Sequence, residues 1–214
     1  MFNTNKYYLL FVFTFSFFSL QGKFSINNVE ISTTPETQNW MTCEDTNPLS
    51  YHLSLKSNEN LEIETLTFHD SEYINKCYNN LINGETPLTP FSSGEFIQMQ
   101  AGQKFSQNNR LLQAKGIFYQ AKLVEIANSV FKTNSISLMG ETVKLYNSYF
   151  EAFTLEIESN EFSSPLQLIR FVFDSNTKSP FLVDGEIDFN NNRIDLVVTG
   201  VKRIEMLFRP HAFR

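Results

Sequence analysis

Apolar and polar positions alternate along most of the second half of the chain, while a 3.6-residue recurrence is clear at one place. Phe24 to Ile31 reads as a short first strand, and Thr33 to Ser50, rich in Thr, Pro and Asn, as loop. Tyr51, Leu53 and Leu55 alternate with polar neighbours, Ser57-Asn58-Glu59-Asn60 interrupts the run, and Leu61 to Phe68 resumes it, which predicts a hairpin. Next comes the helical pattern. Asp70-Ser71 offers an N-cap, Tyr73, Ile74, Cys77, Tyr78, Leu81 and Ile82 form one apolar stripe, and Asn83-Gly84 supplies a stop, so the spacing predicts a helix over about 71–82.

From Glu95 onward the chain is strand-like. Short apolar runs (96–101, 111–123, 124–131, 136–138, 143–146, 150–157, 166–173, 181–189, 194–198 and 201–208) are separated by turn residues, giving roughly seven to ten strands. Asn190-Asn191-Asn192 sits between two alternating runs as a hairpin turn, because Asn tolerates positive φ better than other non-glycine residues. Phe181, Val183, Gly185, Ile187 and Phe189 make a dry face, with Asp184, Glu186 and Asp188 on the wet one. In Leu166 to Phe173 both faces are largely apolar. This strand is expected either between two layers or lining an apolar groove formed by Leu166, Leu168, Ile169, Phe171 and Phe173. With no long crossover helices, the expected fold class is mainly β, an antiparallel meander or sandwich-like β domain with one short helix.

The other strong pattern is N-terminal. Tyr7 to Leu20 is an unbroken apolar stretch between Lys6 and Lys23, ending near Gly22, which is the layout of a secretory signal peptide. At a helical rise of about 1.5 Å per residue it spans about 21 Å, short of the roughly 30 Å hydrocarbon layer. Residues 1–22 are therefore expected to be a signal peptide, with a short membrane anchor as the alternative, and 23–214 to be a single β-rich domain. In the anchored case residues 7–20 hold the domain beside a membrane.

Composition narrows the partners. A net charge of −6, from Lys+Arg 17 and Asp+Glu 23, leaves no positive surplus to neutralise phosphates, so nucleic acid is not an expected partner. Phe is abundant at 22 and Gly scarce at 8, which suits a packed fold. Cys43 and Cys77 are the two cysteines, and in an oxidising compartment they are expected to pair. No Asn-x-Ser/Thr sequon occurs despite the frequent Asn, which favours a bacterial envelope, periplasmic or secreted, over a glycosylating route.

Catalytic and metal chemistry find little footing. Asp184, Glu186, Asp188 and Asp195 gather as a possible cation site, but a solvated face accounts for them equally, and Arg193 stands where a calcium loop needs Gly. His52, His69 and His211 have no partner at metal-ligand spacing. Ser175 and Lys178 match S-x-x-K only as a string within a turn. Basic residues at the C-terminus, Lys202 to Arg214, suit anionic lipid headgroups, an acidic partner or simply a solvated tail. The expectation is an exported non-enzymatic β-rich binding or structural protein of the cell envelope, without cofactor or metal. It acts through a sheet edge or apolar patch on an envelope protein. The alternative is a periplasmic lipid-binding or lipid-transfer β-domain with an apolar groove.

Overall fold

The computed structural model describes residues 29–33, 39–56, 62–66, 71–84, 86–159, 168–175 and 177–208. The expected signal segment 1–22 and groove residue Leu166 lie outside them, as do the side chains of Leu168, Ile169 and Cys43.

The chain is mainly β, but its central part winds as a β-solenoid rather than folding as an antiparallel meander. Three parallel faces form it. The first stacks β4 (Thr89–Ser92), β7 (Arg110–Gln113), β10 (Val130–Lys132) and β13 (Tyr149–Glu151). The second stacks β5 (Phe96–Gln100), β8 (Gly116–Gln120), β11 (Ser135–Met139) and β14 (Thr154–Glu158). The third stacks β6 (Lys104–Asn108), β9 (Leu123–Ala127) and β12 (Thr142–Tyr146). Corresponding residues in the later coils lie 19 apart, as Asn128 and Asn147 do. One coil cannot bury its inward side chains alone, so successive coils stack and share a continuous core. Period-2 alternation reports a strand and its faces, not the direction of its neighbour, which is why the expected meander gives way to parallel ladders.

Each inward position repeats as a row through the stack. Leu112, Phe131 and Phe150 form one, with Phe131 and Phe150 stacked at 5.2 Å and Phe150 followed by Phe181 at 5.5 Å. Ile117, Ile136 and Leu155 form another, Tyr119, Leu138 and Ile157 a third, and all six are essentially inaccessible. The corner between the third and first faces is built by Asn109, Asn128 and Asn147, at φ of 53°, 46° and 46°. Asn is the non-glycine residue best suited to that region. Its amide also bonds along the stack, Asn128 Nδ2 to Asn108 Oδ1 at 3.1 Å and Asn147 Nδ2 to Asn128 Oδ1 at 2.9 Å.

After the last coil the chain reverses. β15 (Leu168–Asp174) pairs antiparallel with β14. β16 (Phe181–Asp188) crosses a corner to pair with both β12 and β13. β17 (Arg193–Phe208) pairs with β15 and β16 and then with β2 (Asn39–Leu55), on whose far side lie β1 (Val29–Thr33) and β3 (Glu62–Leu66). These strands extend the core and cover the C-terminal end of the stack. Two hairpins are as expected, β2–β3 and β16–β17, the latter turning at Asn190–Asn192. The segment read as loop, 33–50, instead lies largely in β2. Its pairing with β17 is continuous except for register shifts that leave residues 45–48 unpaired, so Pro48 falls in a bulge where its missing N–H interrupts no ladder. At the corner of β16, Gly185 has φ +130°, and a Cβ there would stand 2.0 Å from the Asp195 carbonyl oxygen.

The helix, α1 (Ser71–Ile82), covers 71–82 as the spacing predicts. Ile74 and Tyr78 are buried, and Cys77, Leu81 and Ile82 pack beside them against Val130, Tyr149, Leu111 and Leu182. Leu111, Val130 and Tyr149 are the outward residues of the first face, so the helix covers an apolar strip that would otherwise be wet. Burying Ile74 and Tyr78 there contributes about 1.5–3 kcal/mol each. Asn83 N–H bonds to the Asn79 carbonyl oxygen at 2.9 Å, and a Cβ on Gly84 would come within 2.6 Å of Asn80 O, which fixes glycine at the stop. The expected Cys43–Cys77 disulfide is corrected: Cys77 is a free thiol. It serves as a small apolar member of the helix stripe, while Cys43 lies in β2, paired with Val29 and Ile204.

Candidate interaction surface

The two ends of the stack differ. At the covered end Tyr51, Leu53 and Leu55 of β2 are at most 4% exposed, as their alternation with His52 predicts. At the other end, among the described residues, β4 pairs only with β7, β5 only with β8 and β6 only with β9. Their outer edges are free, and the inward rows terminate in the open. Phe91 heads the row of Leu112 and is 46% exposed where Leu112 is 2%; Met99 heads the row of Tyr119 and is 44% exposed where Tyr119 is 0%. Phe105, half-buried, closes the third side and lies 4.2 Å from the Tyr119 ring. Phe91 and Met99 are thus half bare where their row-mates are sealed, since no layer lies on them among the described residues, while Ile97, which heads the row of Ile117, is still only 4% exposed. Outside the ring, Phe96 is the most exposed large hydrophobic residue among those described, and its ring lies over Gly116, where a Cβ would meet it at 2.5 Å.

Polar groups at this end are engaged within the stack. The Tyr119 hydroxyl donates to Gln107 Oε1 at 3.0 Å, and burial raises its pKa above the usual tyrosine range. Gln100 Nε2 donates to Gln120 Oε1 at 3.2 Å. Beside them Gln100, Gly102, Gln120, Lys122 and Glu141 line an open hollow of about 400 Å³ at the corner between the second and third faces. Lys122 and Glu141 bridge each other there at 3.2 Å. Charges on the third face alternate along the axis: Lys104 meets Glu125 at 2.7 Å and Lys144 meets Glu186 at 3.2 Å. The Glu186 carboxylate holds the Lys144 ammonium above the usual lysine range.

The residues weighed for chemistry are placed apart or already occupied. Glu186 is shared between Lys144 and Arg193, and Asp188 accepts from the Asn191 N–H at 3.0 Å to close the hairpin turn. Asp195 lies 2.9 Å from His52 Nε2. Asp184 accepts the Asn147 N–H at 3.3 Å, the corner donor left over when no further coil follows. Burial raises the Asp184 pKa above the usual carboxylate range against the lowering effect of that bond. Among the described residues, no three His, Cys, Asp or Glu side chains gather as a metal site. Ser175 is buried and donates to the Ala152 carbonyl, and Lys178 lies over the Phe153 ring at 5.3 Å, so the two do not form a nucleophile and base. Of the groove residues, Phe171 and Phe173 are fully buried in the main core with their rings stacked at 5.6 Å. They are walls of the core, not of an open groove. His69, His211 and the C-terminal residues 209–214 lie outside the described residues.

The open end was missed because its signal is a repeat, not a motif. Asn-Ser-Val-Phe at 128–131 and Asn-Ser-Tyr-Phe at 147–150 mark the same corner one coil apart, and Asn-Arg-Leu-Leu at 109–112 precedes them by another. Aligning these lines up Ile117 with Ile136 and Val124 with Val143. No protein-family model, curated protein or solved structure matches the chain.

Proposed function

We propose that the chain is an exported, non-enzymatic binding or structural protein of the cell envelope whose working surface is the open end of its solenoid. The exposure of Phe91 and Met99 carries this reading, since their row-mates in the next coil are sealed. Stacked repeats need a cap at each end to keep the core from water, and among the described residues one end has its cap while the other presents Phe91, Met99 and Phe105 framed by free strand edges. Such an edge adds strands by main-chain hydrogen bonds, and the apolar centre supplies the burial. Export rests on the Tyr7–Leu20 stretch and its flanking lysines.

The test is affinity capture from an envelope fraction with the wild-type chain and with Met99→Lys, circular dichroism confirming that both fold. The expected result is a defined set of bound proteins, which includes the chain itself, that Met99→Lys fails to retain. An identical set for both chains removes the open end as the working surface.

A further inference from the structure

We propose that the open end pairs with the open end of a second copy of this chain, forming a two-fold dimer in which β5 runs antiparallel to the partner's β5. The dimer presupposes that the open end is the contact surface and names what occupies it. Three edges that are free among the described residues, β4, β5 and β6, frame Phe91, Met99 and Phe105 and face one direction along the stack axis. An extended peptide can pair with one of those edges. Another coil pairs with all three at once and covers the apolar centre as it does so.

The identity of that coil follows from the far end and from charge. The far end presents β1 and β3, strands that include Glu30, Glu62 and Glu64, and the inward residues of β2 beneath them are already buried. Charged edge strands resist pairing, so head-to-tail stacking is disfavoured and like ends meet, as an isologous contact requires. The chain carries a net charge of −6, yet between Thr89 and Asn109 its only charged residues are Glu95 and Lys104. Glu95 is bridged to Lys115 at 2.8 Å and Lys104 to Glu125 at 2.7 Å. Two acidic copies can therefore meet here without burying an unpaired charge, which is the costly term at an interface.

Symmetry then sets the pairing. A two-fold axis perpendicular to the stack reverses chain sense, so all three edges pair antiparallel. β4 contains Pro90, which has no N–H to give, whereas β5 (Phe-Ile-Gln-Met-Gln) has neither proline nor charge. The axis is placed at Gln98, which sets Phe96 opposite the second copy's Gln100 and lets β4 and β6 meet each other's counterparts. With sides of about five residues at about 3.3 Å each, the ring and its side chains cover about 500 Å² per copy, or about 1,000 Å² in all, the lower end for a specific interface. Association in the micromolar range is expected from an area of that size.

Sedimentation of the purified chain across concentration, together with copper-catalysed oxidation of Gln98→Cys, tests the dimer. The expected results are a reversible shift to twice the monomer mass and a disulfide-linked dimer from Gln98→Cys that the wild-type chain, with Cys43 and Cys77, does not give. Opposed Cβ atoms across an antiparallel pair lie about 4.5–5.5 Å apart, close enough for that bond after small adjustment. Met99→Lys and, independently, Phe91→Asp should each weaken self-association at least about tenfold. A chain that stays monomeric at about 100 μM, far above the expected micromolar constant, and gives no Gln98→Cys dimer overturns the dimer. If Met99→Lys then still abolishes capture of another protein, the open end stands as the working surface with a different occupant. If it alters neither self-association nor capture, both fall.

Discussion

Replacing Asn128 separates the two things the corner asparagine does. It sits at φ 46°, and its side chain bonds along the stack to Asn108 at 3.1 Å and from Asn147 at 2.9 Å. Asn128→Ala puts a Cβ-bearing residue without a polar tip into the left-handed region, at about 1–2 kcal/mol, and removes two exposed hydrogen bonds worth about 0.5 kcal/mol each. The expected loss is about 2–3 kcal/mol. Asn128→Gly removes the same two bonds but occupies that φ freely, adding only about 0.5 kcal/mol from its looser unfolded state, so about 1.5 kcal/mol is expected. Urea unfolding followed by circular dichroism measures both, provided the slopes match wild type. Asn128→Ala no worse than Asn128→Gly would refute the conformational half of the reasoning, and a neutral Asn128→Gly would refute the ladder.

Four further outcomes follow from the same geometry. Gly185→Ala meets both a φ of +130° and a carbonyl oxygen 2.0 Å from its Cβ, so the covering strands should loosen and stability fall by more than about 2 kcal/mol in denaturant titration. Burial raises the Asp184 pKa, so the folded state holds its proton to higher pH than the unfolded chain; this contribution falls as pH rises from the ordinary carboxylate value through the folded one. Asp184→Asn should therefore gain on wild type across that window and stay ahead at neutral pH; a variant that is less stable at pH 7 contradicts this. Because Cys77 is free, reductant should leave the melting temperature unchanged, and a drop would restore the bridge. Amide exchange of the monomer should open β5 before β11, which is laddered on both sides, and equal protection would deny the open end.

Local features were legible because they depend on near neighbours. The 71–82 helix, the dry face of Phe181, Val183, Ile187 and Phe189, and the Asn190–Asn192 turn all follow from spacing and turn chemistry. What stacks on what was not legible from alternation. Leu112, Phe131 and Phe150 are separated by whole coils, and nothing within ten residues of any of them says that they share a row. The Asn corner could have revealed it, since Asn109, Asn128 and Asn147 recur at the coil period. Read singly, each looks like a hairpin turn; read together, they mark a corner that the chain passes once per coil. Of the two readings of Leu166 to Phe173, Phe171 and Phe173 fit the one between layers, and for a related reason. Phe171 and Phe173 lie on a strand that covers the last coil, so the apolar surface they offer is consumed by that coil.

The same stacking that hides the repeat gives the open end its character. In the interior each coil is held by a ladder above and one below, and its inward residues touch both neighbours, so removing a coil's neighbour exposes edges and core together. The C-terminal end resolves this by reversing the chain: β15 and β16 take up the edges of β12, β13 and β14, and Asp184 receives the leftover Asn147 donor. The first coil receives no such treatment among the described residues, and α1, which precedes it, is spent on the outer side of the first face. Phe91, Met99 and Phe105 are chosen as though a further layer followed: they are apolar, inward and in register with the rows beneath. A ligand that binds the folded state stabilises it by an amount that grows with the logarithm of its concentration over the dissociation constant. Whatever completes the first coil therefore also stabilises the whole stack, and binding at this end and folding of the solenoid draw on the same contacts.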